Sequence, residues 1–430
     1  MSALLDNLLD DAPLATSPTW LAQAQSDALA SLRASGLPDT RVEAWKYTNL
    51  RQLSQRAMQR GDAAAMSREV DAALLALPGV EHSRIVFVNG ALRRDISCFP
   101  QAGPLSVVPL ASVLANDADS VKAPLSREYA EPESAFAQLN TAMTGNGIVI
   151  RVAANSTVAE PLHLVFVGAV AEHDLAWSAR VIVELGSAAG LQLVEHHVGN
   201  DHAHLGNVVS QFVIGDDAQL ELIQIQNGAE ASTLIRRTEA NIASNAVLKL
   251  HTLELGGQLV RHDLAINLDG NAARLISRGV FALRGRQHVD SHLDIRHRAR
   301  DTACDVLWRG VVDERARGVF HGAITIEQGA DGSDAMLSNK NLLLSTQAEI
   351  DTQPVLVIHA DEVKAAHGAT VGQLDDQALF YMRTRGIPEA EARALLTMAF
   401  CRAALDSIDN PPLLDALTTM LVERLPVTLP

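Results

Sequence analysis

Residues 258–266 read QLVRHDLAI and residues 287–295 read QHVDSHLDI, and the fold follows from what the two stretches share. Gln258, Val260, Leu264 and Ile266 return 29 residues later as Gln287, Val289, Leu293 and Ile295. Within each stretch the apolar positions fall two or four apart, the period of a strand whose alternate side chains enter a core. A second series runs between them: Leu162-x-Leu164 recurs at Leu191, Leu220 and Leu248, and more weakly at Leu275, in steps of 29, 29, 28 and 27 residues. Arg278-Gly279-Val280 likewise returns as Arg309-Gly310-Val311, 31 residues on. Small or turn-forming residues precede several copies: GSAAG at 186–190, GDDA at 215–218, ASNA at 243–246 and GNAA at 270–273. Self-similarity held at 20–50 residues marks a stacked repeat in which each unit buries its apolar face only against its neighbours. Two strands per unit and no intervening helix predict coils of a β-helix. An antiparallel sandwich also repeats its turns, but at about 8–12 residues and without a fixed unit.

Helical spacing flanks this region. Leu21, Ala24, Ala28, Leu29 and Leu32 form one stripe, stopped at Gly36 and Pro38. Toward the other end, Pro388, Glu389 and Glu391 open a helix carrying Leu395, Leu396, Ala399 and Phe400. Another, after Pro411 and Pro412, carries Leu413, Leu417 and Leu421. These amphipathic helices are expected to pack on the side of the β region or on a partner. The predicted organisation is a helical domain over 1–83, a mainly β core over 84–372 and a helical domain over 373–430.

The 430 residues carry a net charge of −16, so nucleic acid is a poor partner. Nothing approaches the ~18–20 apolar residues of a membrane span, and the acidic N-terminus lacks the features of a signal peptide. The only cysteines are Cys98, Cys304 and Cys401, a count that fits a reducing cytoplasm and cannot supply a four-thiolate cluster site. The dipeptide Gly-Lys does not occur, so there is no phosphate loop, and no nucleotide site is expected. The Gly-x-Ser-x-Gly, His-Glu-x-x-His and Cys-x-x-Cys signatures are missing too.

Histidine is the one reactive residue used freely. His196, His197, His202 and His204 form either a metal-binding group or a polar loop around the turn residues 199–201. His288, His292 and His297, set among Asp290, Asp294, Arg296 and Arg298, read as a solvated outer face bearing salt bridges. Cys304 and Cys401 sit among apolar residues and read as buried, inert thiols. In DEVKAAHGATVG (361–372), His367 stands among small residues that leave an imidazole accessible, and neutral imidazole binds iron or zinc.

Two stretches resemble a known family. RVEAWKYTNL (41–50) resembles the N-terminal signature of the SufD branch of the SufB/SufD family. Residues 363–372, continuing through Phe380-Tyr381-Met382-Arg383-x-Arg385-Gly386-Ile387, are similar to the family's C-terminal signature, and the resemblance to the family is also visible over residues 317–345. The Lys-x-x-His-Gly-Ala-Thr-Val-Gly form is the SufD version and argues against SufB. The resemblance implies a right-handed parallel β-helix flanked by helices, in a non-catalytic scaffold subunit of a complex that assembles iron–sulfur clusters. It further implies a SufB-like partner and a SufC-like ATPase docked on the C-terminal helices, with a homodimer when the chain is isolated. It makes His367 a candidate contact, at the subunit interface, for a nascent cluster shared with the partner. Family members often carry a cysteine two residues before this histidine, where this chain has Ala365, so a thiolate role there is ruled out. Two competing classes are an adaptor solenoid with no metal role and a β-helix enzyme acting on carbohydrate. The latter calls for clustered carboxylates or a catalytic histidine on one exposed face and, when secreted, a signal peptide.

Overall fold

The computed structural model describes residues 2–425 apart from 11–13, 17, 62, 102 and 201. Among them are two ten-stranded sheets, and from Gly147–Val152 onward the strands alternate between the two and each pairs with the strand two along the chain. The pairing is parallel along the stack, so each coil gives one strand to each sheet, as in a β-helix. The first sheet runs from Gly147–Val152 and Leu175–Leu185 to Arg317–Ile326 and Glu349–Ile358. The second runs from Ser83–Val88 and Leu162–Gly168 to Asp334–Leu343 and Lys364–Gly372.

The repeats found in the sequence are mostly the true register. Leu191, Leu220, Leu248 and Leu275 stand side by side, and Val260 and Leu264 pair with Val289 and Leu293. Two copies slip by two residues. Leu162 pairs with Leu193 rather than Leu191, and Arg278-Gly279-Val280 pairs with Leu307-Trp308-Arg309. A two-residue slip keeps every side chain on its face, so hydrophobic periodicity alone cannot detect it. Packing fixes the second case: a Cβ at Gly279 would lie 2.3 Å from the Trp308 ring, so only glycine fits beneath the indole.

The small-residue stretches are turns stacked at one corner. Ala188, Asp217, Asn245, Ala272 and Asp301 are all left-handed, with φ between 53° and 60°. Each donates its amide to a carbonyl of the next coil: Asp217 to Ser244, Asn245 to Asn271 and Ala272 to Arg300, all at 2.9 Å. These bonds pair turn amides that would otherwise be left without backbone partners.

The two ends of the stack differ. At the N-terminal end, the outermost strands Leu105–Pro109 and Ala91–Leu92 are short and antiparallel to their neighbours Gly147–Val152 and Ser83–Val88. At the C-terminal end, Glu349–Ile358 and Lys364–Gly372 pair on one side only.

Helices lie against the outside. Helices Leu110–Asn116 and Ala135–Ala142, with Thr19–Ser35, cover the early part of the first sheet, so the span read as the β core also contains helices. Glu389–Arg402 and Pro411–Arg424 lay Cys401, Leu413, Leu417 and Leu421 on Val194, Ile223, Leu253 and Val280 of the second sheet. These two helices therefore pack on the side of the solenoid. Helix Asp376–Thr384 stands clear: Leu379 is buried, while Phe380 is 68% and Tyr381 59% exposed.

Candidate functional site: the open end of the β-helix

Alternation and register together place His367. Ala335, Leu337, Asn339 and Asn341 enter the core, and their partners on the next strand are Ala365, His367, Ala369 and Val371. His367 thus occupies an inward position of the last coil, directly over buried Leu337. It is exposed because no further coil stacks on it. On the facing strand, Ile350, Thr352 and Leu356 continue the columns of Gly318, Phe320 and Ile324. Ile350, Leu356, Val363 and Ala365 are only half-buried, and Val357, Ile358 and Val371 are exposed. The end of the stack is an unfinished apolar core with one imidazole in it.

Beneath this layer lies a small polar one. Thr352 Oγ1 donates to Asn339 Oδ1 at 2.7 Å, and Asn341 Nδ2 donates to Asn339 Oδ1 at 2.6 Å and to the Thr370 carbonyl at 3.1 Å. Asn339, Asn341 and Thr352 escaped sequence reasoning, although register extrapolated from the earlier coils would have found them. One coil deeper, Trp308 and Phe320 pack with ring centres 5.3 Å apart and seal off the rest of the lumen.

The edge itself is reactive in a second sense. Lys364 donates its N–H to the Ser333 carbonyl at 2.9 Å, so alternation turns the amides of Ala365, His367, Ala369 and Val371 outward. An exposed row of unpaired strand amides beside apolar side chains is a template for another strand.

The other sequence candidates separate. His196 and His197 are consecutive on Gly190–Gly199 and so lie on opposite faces, while His204 opens the next strand of the other sheet. All three are buried, so the polar-loop reading holds only for the turn that includes His202. His197 stacks on Phe166 at 4.8 Å and His204 on Trp177 at 6.1 Å. Burial pushes His196 and His204 down to about 4, leaving packed neutral rings. Among the described residues, no three of His, Cys, Asp and Glu already converge as a metal cage.

The reading of residues 288–297 as a solvated face is corrected in part. His297 is inward and buried, 2.8 Å from Thr302 Oγ1 and 3.2 Å from Cys304 Sγ. His288 and Asp290 face outward but are covered by the segment 41–50, whose Thr48 Oγ1 lies 2.9 Å from His288 Nε2 and donates to Asp290 Oδ2 at 2.5 Å. That segment is an anchor. Its Trp45 is buried, with the Arg261 guanidinium 4.3 Å from the ring centre and its indole N–H donating to the Glu133 carbonyl at 3.1 Å. Cys304 and Cys401 are buried as expected, and burial pushes both thiols up to about 12.

Residues 166–400 match the family model described as SUF system FeS cluster assembly, SufBD core domain, and residues 11–164 match the SufBD protein N-terminal region. An iron–sulfur cluster assembly SufBD family protein of Synechocystis is 31% identical over 399 residues, 90% of this chain and 86% of the relative. The iron–sulfur cluster assembly protein SufD of Escherichia coli is 28% identical over 403 residues, 93% and 92% of the two chains. The protein of that name from Bacillus subtilis is 26% identical over 280 residues, 64% and 63% of the two chains.

Proposed function

Since the chain belongs to the SufBD family, we propose that it is a non-ATPase scaffold subunit of a complex that assembles iron–sulfur clusters in the cytoplasm. The observation that carries this reading is the open end, where two unpaired strand edges flank an unfinished core. A SufB-like subunit ending in the same way would complete both by edge pairing, and a second copy of this chain would do so when the partner is missing. The nascent cluster is cargo at that junction. His367 offers one nitrogen ligand, and the partner must provide the rest, because Cys304 and Cys401 are buried and Cys98 belongs to the opposite end of the stack.

Replacing His367 with Ala tests the cargo role. An exposed side chain contributes little to stability, within about 0.5 kcal/mol, so folding and co-purification with the partner should persist. Iron and sulfide per reconstituted complex should fall several-fold. Equal cluster content and equal transfer to an apo acceptor would reduce the chain to an adaptor without a metal role.

Helix Asp376–Thr384 supports the docking of a SufC-like ATPase, with Phe380 and Tyr381 as its exposed anchors. Aromatic anchors of this kind are worth about 2 kcal/mol each, so changing both to Ser should weaken ATPase binding ~10³-fold. The change should leave the β signal in circular dichroism unaltered. Removal of residues 388–430 would be a poorer test, since it uncovers the apolar face beneath Leu413, Leu417 and Leu421. Undiminished binding of the doubly substituted chain in a biosensor assay would place the ATPase elsewhere.

A further inference from the structure

A groove of about 1070 Å³ runs between residues 48–56 and one corner of the stack, where the coils turn at 230–231 and 284–287. Its lining carries Arg56, Arg284 and Arg286 against a single acid, Glu230. That balance is the reverse of the whole chain, whose net charge is −16.

Two of these arginines are uncommitted. Arg56 pairs with Asp174, whereas Arg284 and Arg286 form no ion pair among the described residues. The turn keeps them so. Gly285, left-handed at φ 66°, donates its N–H to Glu314 Oε2 at 2.6 Å, which spends the acid of the next coil on the backbone between the two arginines. Gln287 Oε1 accepts from the Arg284 N–H at 2.9 Å and fixes the start of the turn. A third guanidinium arrives from far along the chain. Arg424, half-buried in the last turn of helix Pro411–Arg424, lies close enough to Arg284 for the two charges to repel. Burial, with Arg284 adding to it, lowers Arg424 from the usual arginine range, and Glu230 and Glu423 offset this only in part. Like charges gathered beside a groove are costly until an anion joins them.

We propose that this groove binds a phosphorylated small molecule, its phosphoryl group held by Arg284 with Arg286 and Arg424 beside it. A phosphoryl group carries close to two negative charges on three acceptor oxygens, and guanidinium forks match that geometry. A single carboxylate would leave a neighbouring cation unpaired. The rest of the ligand is polar, because Asn49, Gln52 and Gln258 offer amide donors and acceptors along the groove. The volume is at the upper end of the ~300–1,000 Å³ typical of small-molecule sites, which suits a sugar phosphate. The site uses side chains at a coil corner, so it needs no phosphate loop of the kind this sequence lacks.

The test uses the purified full-length chain without partners, so its outcome does not depend on the scaffold reading. Glucose 6-phosphate and inorganic phosphate are titrated by calorimetry at fixed ionic strength, with glucose and succinate as controls. Glucose 6-phosphate should bind at one site, inorganic phosphate should compete for it more weakly, and neither control should bind. Arg284→Gln and Arg424→Gln should each weaken glucose 6-phosphate tenfold or more, while Arg385→Gln, outside the groove, should change nothing. Thermal melts check folding, and Arg284→Gln/Arg286→Gln alters only the turn, so it keeps the test sound if Arg424→Gln loosens its helix. Unchanged binding by that double variant, or succinate binding as tightly as glucose 6-phosphate, would reduce the cluster to a diffuse cationic patch. Absence of saturable binding by either phosphate at millimolar concentration would overturn the site.

Discussion

Replacing Ala369 with proline should abolish assembly with a SufB-like partner while leaving the β-helix folded. Ala369 lies in the middle of the last strand, and its amide points away from the only neighbouring strand. Proline lacks that N–H, so the change removes one bond of the proposed intermolecular ladder and none of the internal one. The pyrrolidine ring also occupies the space in which an incoming strand would sit. An edge of this kind gains affinity mainly through consecutive main-chain bonds, so one break near its centre divides the ladder into short pieces. Co-purification and light scattering should show free chain where the unaltered protein gives a complex. Circular dichroism should be unchanged, because prolines are tolerated on sheet edges. A complex of undiminished size and yield would mean that the open end is not the junction.

The largest loss of stability is expected inside the lumen. Arg236 Nη2 donates to Glu254 Oε1 at 2.5 Å, and His262 Nδ1 lies 3.3 Å from the same oxygen, all three side chains being nearly or fully buried. A hydrogen-bonded chain continues across the coils. Thr238 Oγ1 meets His262 Nε2 at 3.0 Å and accepts from Gln224 Nε2 at 2.9 Å, and Gln224 also donates to Glu195 at 2.5 Å. Burial alone would push the Glu254 carboxyl up, but Arg236 and His262 outweigh it and hold it below the usual range. Arg236→Ala leaves that carboxylate buried without its partner, a loss of about 3–5 kcal/mol. The urea midpoint should fall accordingly. The paired change Arg236→Met/Glu254→Leu removes both charges and should recover most of the loss, since the attraction is largely offset by desolvation. A single change that costs no more than a surface substitution would show that water reaches the lumen.

Much of this architecture was legible in the sequence because its causes are local and periodic. The 29-residue step, the alternation of Val260, Leu264 and Ile266, and the small residues before each copy reflect one strand geometry and one left-handed turn repeated at every coil. His367 also stood out by its neighbours, since Ala365, Ala366 and Gly368 leave an imidazole uncovered wherever the strand ends. The two-residue slips at Leu162 and Arg278 were invisible because both registers present the same faces.

Histidine burial belongs to the other category. His196, His288 and His297 are equally polar in sequence, yet His196 lies buried on an outer face, His288 lies under Thr48 from 240 residues away, and His297 enters the core. Composition and period establish that strands form, which side chains share a face, and that the coils stack. What is laid over each face, and which end of the stack stays open, depends on contacts between segments far apart in the chain. Burial and the approach of Arg261 to Asp290, or of His292 to His321, are products of that assembly, so only the tertiary structure decided which titratable groups became packing, anchor or site.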